Sequence, residues 1–202
     1  KGNNCTLSMN KNSGIYFGGG PVPGKSANFY ASSNKDLPYV DVATLDGSKF
    51  AVNDYVALQD SAPGDMNFEL NQISSKDSSN PSYTRIYLKW LLSRNFTTGN
   101  SSTIFVISPN LNSSIQGFNI FYNEEAAPGL VHPVEFFYAV NGTVRDVYIL
   151  NSGPFGYRGN GIREYKSLGT TVENCYVADP KYFAAGEGYG FGCYYSVQSK
   201  WN

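Results

Sequence analysis

The chain has 202 residues, a formal net charge of −1, and 15% charged residues against 41% hydrophobic and 15% aromatic. No basic stripe or Lys/Arg block is present, so a nucleic-acid footprint is absent, and no apolar run approaches the ~20 residues that cross a bilayer as a helix. Asn, Ser, Gly and Tyr fill the charge deficit. That is the composition of an extracellular or cell-surface β-protein, with Tyr, Phe, Val, Ile and Thr for half-buried pleated surfaces and Asn, Gly and Ser for turns.

In chain order, "IYF" (Ile15–Phe17) reads as a first strand. It is followed by "GGPVPGKS", Gly19 to Ser26, which satisfies the phosphate-loop pattern G-x-x-x-x-G-K-[ST]. A phosphate loop must open a helix, whose N-terminus cradles the anion. The sequel "ANFYASSNKDLP" carries no apolar stripe, and Pro21 and Pro23 remove two N–H donors from the loop itself. The stretch therefore reads as part of a long Gly/Pro surface loop, Gly18–Pro38, with no nucleotide, cofactor or metal expected.

Further strands are expected at Tyr39–Leu45, Phe50–Leu58 and Asn67–Ile73. "SYTRIYLKWLL" alternates Tyr83, Arg85, Tyr87 and Lys89 against Thr84, Ile86, Leu88 and Trp90, the second set reading as the core face. "STIFVIS" and "IQGFNIFY" follow as strands. "NEEAAPG", with Glu124 and Glu125, reads as a solvated loop rather than a catalytic carboxylate pair. The single histidine, His132, reads as structural or exposed at a strand entrance. "PVEFFYAVNGTVRDVYIL" predicts a hairpin of Val134–Val140 and Thr143–Leu150 around a type I′ turn at Asn141-Gly142. Last come strands near Thr171–Val177 and Gly192–Val197.

About eleven short strands with almost no helix argue for an all-β chain, a single-domain antiparallel β-sandwich (immunoglobulin-like or jelly-roll-like) over residues 1–202, with a closed barrel as runner-up. No composition break and no repeat stands out. Of three cysteines, Cys175 and Cys193 lie in expected strands and would form a disulfide contributing ~3 kcal/mol in the chain-entropy model. Five sequons (Asn4, Asn95, Asn100, Asn112 and Asn141) permit glycosylation without arguing for it.

"GPFGYRGNGIREY" concentrates Tyr157, Arg158, Asn160 and Arg163 among glycines, and "ADPKYFAAGEGYG" adds Asp179, Tyr182, Glu187 and Tyr189. Planar hydrogen-bonding groups beside aromatic faces are the means by which sugars are held. Tyr157, Arg158, Asn160, Asp179, Tyr182, Glu187 and Tyr189 are accordingly the expected ligand-binding set. In "GEGYGFGCYYS" the alternation of Gly with Tyr189, Phe191, Tyr194 and Tyr195 suits close strand packing or an aromatic platform.

"DLPYVDVATLDG", Asp36 to Gly47, resembles a strand pair in the lectin domains of bacterial chaperone–usher fimbrial tip adhesins. That resemblance implies an immunoglobulin-like lectin domain and transfers no site residue. "YAVNGTVRDV" has a faint similarity to the N-terminal domain of coronavirus spikes, which are richer in cysteine. The sequence thus sets up an extracellular adhesin or lectin that binds a host-cell glycan without catalysis. The alternative is a receptor-binding module with a protein partner.

Overall fold

The computed structural model describes residues 5–9, 14–61, 67–122, 132–151, 159–178 and 189–202. The chain is all-β, its only helical pieces among these residues being 3-10 turns at Thr44–Lys49 and Thr98–Asn100. It divides into two compact units, one of residues 1–18 and 110–202 and the other of Gly19–Pro109.

The first unit is a parallel β-helix. From Asn110 onward its strands pair in parallel with residues 28 or 29 positions further along the chain, as Val134 with Ile162 and Ile162 with Phe191, while Cys5–Met9 and Ile15–Gly18 pair across the intervening Gly19–Pro109 stretch. One face stacks Cys5–Met9, Ser114–Tyr122, Thr143–Asn151, the pair Thr171–Glu173 and Tyr176–Ala178, and Lys200–Trp201. A second face stacks Ile15–Gly18, Val134–Phe137, Asn160–Tyr165 and Tyr189–Tyr194. A narrow third face runs through Asn110–Leu111, Ala139–Val140, Leu168 and Val197. A fixed offset of this size is the mark of a solenoid, in which each coil buries its apolar face only against its neighbours.

The corners of the coil explain the repeat. Left-handed backbone recurs in three columns: Asn112, Asn141, Gly169 and Gln198; Gly117, Asp146 and Asn174; Tyr138, Lys166 and Tyr195. Single residues at positive φ turn the chain sharply between faces, and Asn, Asp and Gly adopt that conformation most readily. Asn141 Nδ2 donates to Asn112 Oδ1 across one rung (3.3 Å). Inside, like stacks on like: Leu7, Ile120, Ile149 and Val177 share one register column, and Phe17 stacks on Phe136 with centroids 4.7 Å apart.

This arrangement corrects the hairpin. Asn141 does take positive φ (55°), but the strands on either side of it do not pair with each other. Val134–Phe137 pairs with Ile15–Gly18 and Asn160–Tyr165, and Thr143–Asn151 with Ser114–Tyr122. The Asn-Gly corner sends the chain around the coil instead of back along it. The single antiparallel sandwich is accordingly not confirmed, because among the described residues every strand pair of this unit is parallel.

The second unit is antiparallel. Its strands run in the order Gly20–Asn28, Thr103–Ser108, Tyr55–Gln59, Phe68–Asp77, Tyr83–Leu88 and Tyr39–Ala43. An antiparallel bridge between Phe29 and Val42 joins the two ends of that order, making a small closed barrel. Val40, Val42, Val56, Leu58, Ile86 and Ile104 are fully buried in its core. Thr84, Ile86 and Leu88 are buried while Tyr83, Arg85 and Tyr87 are only partly so, which is the alternation expected of that strand. The expected Gly/Pro loop is corrected here. Gly20–Asn28 is a nine-residue strand, with a register shift between Pro21 and Ser26 that absorbs the prolines. Lys25 Nζ lies 3.9 Å from Asp54 Oδ2. The "DLPYVDVATLDG" stretch supplies the strand Tyr39–Ala43 and enters the 3-10 turn Thr44–Lys49.

Candidate functional site

On the second face of the β-helix, inward residues alternate with outward ones. Val134, Phe136 and Ile162 are fully buried, while Glu135, Phe137, Arg163 and Tyr165 are partly exposed. The outward side forms two adjoining stripes along the stack.

One stripe is aromatic. The Phe137 and Tyr165 rings are stacked, with centroids 5.5 Å apart; Tyr165 and Tyr194 follow at 6.5 Å, and Tyr16 and Phe137 lie 6.2 Å apart. Tyr16 reaches this stripe because Gly18 carries no side chain. A Cβ there would lie 2.0 Å from the Tyr16 ring. Tyr16 and Tyr194 are the exposed ends, at 58% and 37%.

The other stripe is polar. Arg163 Nη1 donates to Glu135 Oε1 (3.0 Å) in the adjacent coil, and its guanidinium carbon lies 4.3 Å from the centre of the Tyr165 ring. His132 stands beside it and is 8% exposed. The backbone N–H of Asn160 donates to His132 Nδ1 (2.9 Å), and Arg163 Nη1 is 2.8 Å from His132 Nε2. Burial and the neighbouring Arg163 cation press the imidazole pKa down to about 4, so the ring is neutral at ordinary pH. Burial pushes the Glu135 carboxyl up, against the opposing pull of Arg163. Gly192 leaves room for the Asn160 amide, since a Cβ there would lie 2.1 Å from Asn160 Nδ2.

Of the expected ligand set, Asn160 and Tyr189 are register partners at the head of this face. Tyr157, Arg158, Asp179, Tyr182 and Glu187 lie outside the described residues, as do Glu124 and Glu125. The residues that sequence reasoning missed are Tyr16, Glu135, Phe137, Tyr165 and the functional setting of His132. The signal was present: "VEFFY", "IREYK" and "FGCYY" align at the coil spacing and place Phe137, Tyr165 and Tyr194 in one column.

The expected disulfide is corrected: all three cysteines are free. Cys175 sits between two strands of the first face, its thiol against the carbonyls of Glu173 (3.2 Å) and Val144 (3.7 Å). Cys193 is on the second face, its thiol 3.6 Å from Glu164 Oε2. The coil puts the two on different walls. Glu164 itself is fully buried, accepting from Ser199 Oγ (2.5 Å) and Trp201 Nε1 (3.3 Å).

A second polar row, on the first face, lines a shallow cleft of Gln116, Arg145, Asp146, Glu173, Asn174 and Asn202. Its charged groups are paired internally. Arg145 Nε donates to Glu173 (2.7 Å), and Asp146 accepts from Asn174 (3.0 Å) and Gln116 (3.3 Å). Among the described residues no group of three or more His, Cys, Asp and Glu could hold a metal, and no helix is long and apolar enough to cross a membrane.

No family model and no curated protein matches the chain. Solved structures do. The chain is similar to the gp54 tailspike of Acinetobacter baumannii bacteriophage AP22, solved in complex with A. baumannii capsular saccharide, at 15% identity and a TM-score of 0.55, over 83% of this chain and 26% of that one. It is similar to the gp61 tailspike of Pseudomonas phage phi297 at 10% identity and 0.53, over 84% and 30%. It is also similar to the gp49 tailspike of Pseudomonas phage LKA1 at 15% identity and 0.55, over 86% and 33%. The chain thus spans a third or less of these tailspikes, and at such identity the likeness is one of fold. With tailspikes as the structural neighbours, the reading of a binder that does no chemistry is overturned.

Proposed function

We propose that the chain is a carbohydrate-recognition segment of a tailspike-like surface protein, and that it holds a bacterial surface polysaccharide along the second face of the β-helix. One observation carries this reading. The aromatic stripe of Tyr16, Phe137, Tyr165 and Tyr194 runs beside the polar groups of Glu135, Arg163 and Asn160 on one rigid wall. Successive flat faces accept the C–H faces of sugar rings, and fixed planar polar groups orient their hydroxyls. The capsular saccharide bound by the AP22 tailspike supports the ligand class. Binding of purified protein to an array of bacterial polysaccharides tests the proposal, with selective signals expected; signals unaffected by Tyr165→Ala would move the site elsewhere.

A second reading, cleavage of the bound polysaccharide, is favoured by Glu135. Its half-buried carboxyl has a raised pKa and lies beside the aromatic stripe, the setting of a general acid. Incubation with each array-positive polysaccharide, followed by assay of new reducing ends, tests it. Release by the unaltered chain and none by Glu135→Gln is the expected result.

A further inference from the structure

The polar stripe holds more hydrogen-bond donors than acceptors. Asn160 is 5% exposed and its Nδ2 has no partner, and Arg163 Nε is likewise buried without one. The backbone N–H of Asn160 can only donate, so His132 Nδ1 accepts and a neutral ring carries its hydrogen on Nε2. That N–H faces Arg163 Nη1, also a donor, at 2.8 Å. Against these donors stands the Glu135 carboxylate, whose Oε1 is already taken by Arg163. Buried donors without acceptors are rare in folded proteins, and an incoming acceptor is one way such donors are satisfied.

We infer that this stripe receives the carboxylate of an acidic sugar, bound by Arg163 and Asn160, so that the polysaccharide is one carrying uronic-acid or similar carboxylate residues. The inference rests on the glycan-binding reading above and names its substrate class. A carboxylate is acceptor-only and has two oxygens, enough for the guanidinium and the amide together. A sugar hydroxyl would bring a further proton into a place already crowded with them. A phosphate diester or sulfate ester also offers oxygens to a guanidinium, so phosphate- and sulfate-bearing glycans are the arms of the test that separate those anions from a carboxylate. Arg163 and Glu135 keep 21% and 18% of their side chains exposed, so the stripe is open at its rim.

The test uses an array of bacterial polysaccharides, each printed native and after chemical reduction of its carboxylates to alcohols. Phosphate- and sulfate-bearing glycans serve as the other anionic arms. Carboxylate-bearing glycans are expected to bind, and to lose at least tenfold in affinity on reduction. Arg163→Gln should bind native and reduced forms alike. Asn160→Leu, which replaces the unpaired amide by an apolar group of similar size, should also lose the preference while melting no lower than the unaltered chain. Binding to neutral glycans, to phosphate or sulfate glycans only, or equally to native and reduced forms overturns the inference and leaves the glycan reading standing. Silence on every spot overturns both.

Discussion

Phe137 and Tyr165 come from adjacent coils and stack with their planes within 15°, while Arg163 covers the same Tyr165 ring at 4.3 Å. The parallel register makes this contact: Phe137 is the direct partner of Tyr165, and Glu135 of Arg163. Truncation of Tyr165 removes the middle of the aromatic stripe and the surface under Arg163 together. Stacked pairs contribute ~0.5–1.5 kcal/mol beyond burial. Tyr165→Ala is therefore expected to weaken polysaccharide binding about tenfold, read by calorimetry, with the β-sheet circular dichroism retained. Unchanged affinity would contradict the assignment of this face.

His132 makes stability depend on acid. Its folded pKa of about 4 is below the ordinary value of 6.5, so the unfolded chain takes up the proton first. The stabilising contribution of the neutral ring is complete above about pH 6.5 and is lost as pH falls toward 4. Urea midpoints measured across that window should decline, and His132→Gln should flatten the decline. An equal slope in the variant would show that other groups titrate.

All three cysteines are expected to react with a thiol reagent after denaturation without reductant. In the folded chain at pH 8, Cys5 should react first. Cys5 and Cys193 are both exposed, but partial burial of its thiol and Glu164 push Cys193 up to about 11, and burial raises Cys175. Finding one reactive thiol in the denatured chain would restore the disulfide.

Asn141 combines a left-handed corner with a side-chain bond to Asn112 in the previous coil. Asn141→Ala loses both and should cost about 1–2 kcal/mol in denaturant unfolding. Asn141→Gly, which keeps the backbone conformation, should cost less. Equal costs would mean that the ladder bond, lost in both variants, outweighs the corner.

Gly142 packs under Phe136, with a built Cβ 2.5 Å from the ring. Gly142→Ala should destabilise by about 1–3 kcal/mol through overpacking, measurable as a lowered unfolding midpoint. A neutral result would mean that the Phe136 stack yields more readily than its buried position suggests.

Several local features were legible in the sequence. The burial alternation of Tyr83–Leu88 follows from period 2 alone, and Asn141 before a Gly reads as a residue that takes positive φ, as it does. The same Asn141 shows where local reading stops. An Asn-Gly corner is compatible with a hairpin and with a coil corner, and the choice depends on what the flanking strands find to pair with. The repeat was hidden for a related reason. Its columns conserve side-chain kind and corner geometry, as in "LNSSI", "VNGTV", "LGTTV" and "VQSKW", and not residue identity. The stretch Gly19–Pro109, a unit of its own, also lies between the first coil strands and the rest.

By itself the sequence determined a β-rich chain without long helices, the core face of individual strands, and a store of aromatic and planar polar groups suited to sugars. These depend on composition and period, which are local. Only the tertiary structure decided that Ile15, Val134, Ile162 and Phe191 form one ladder, that Cys175 and Cys193 stand on different walls, and that Glu135, Arg163 and His132 meet. The ladder and the Glu135–Arg163 contact join residues 28 or more positions apart through parallel pairing, whose register is set by the summed burial of every coil and by no short stretch within one.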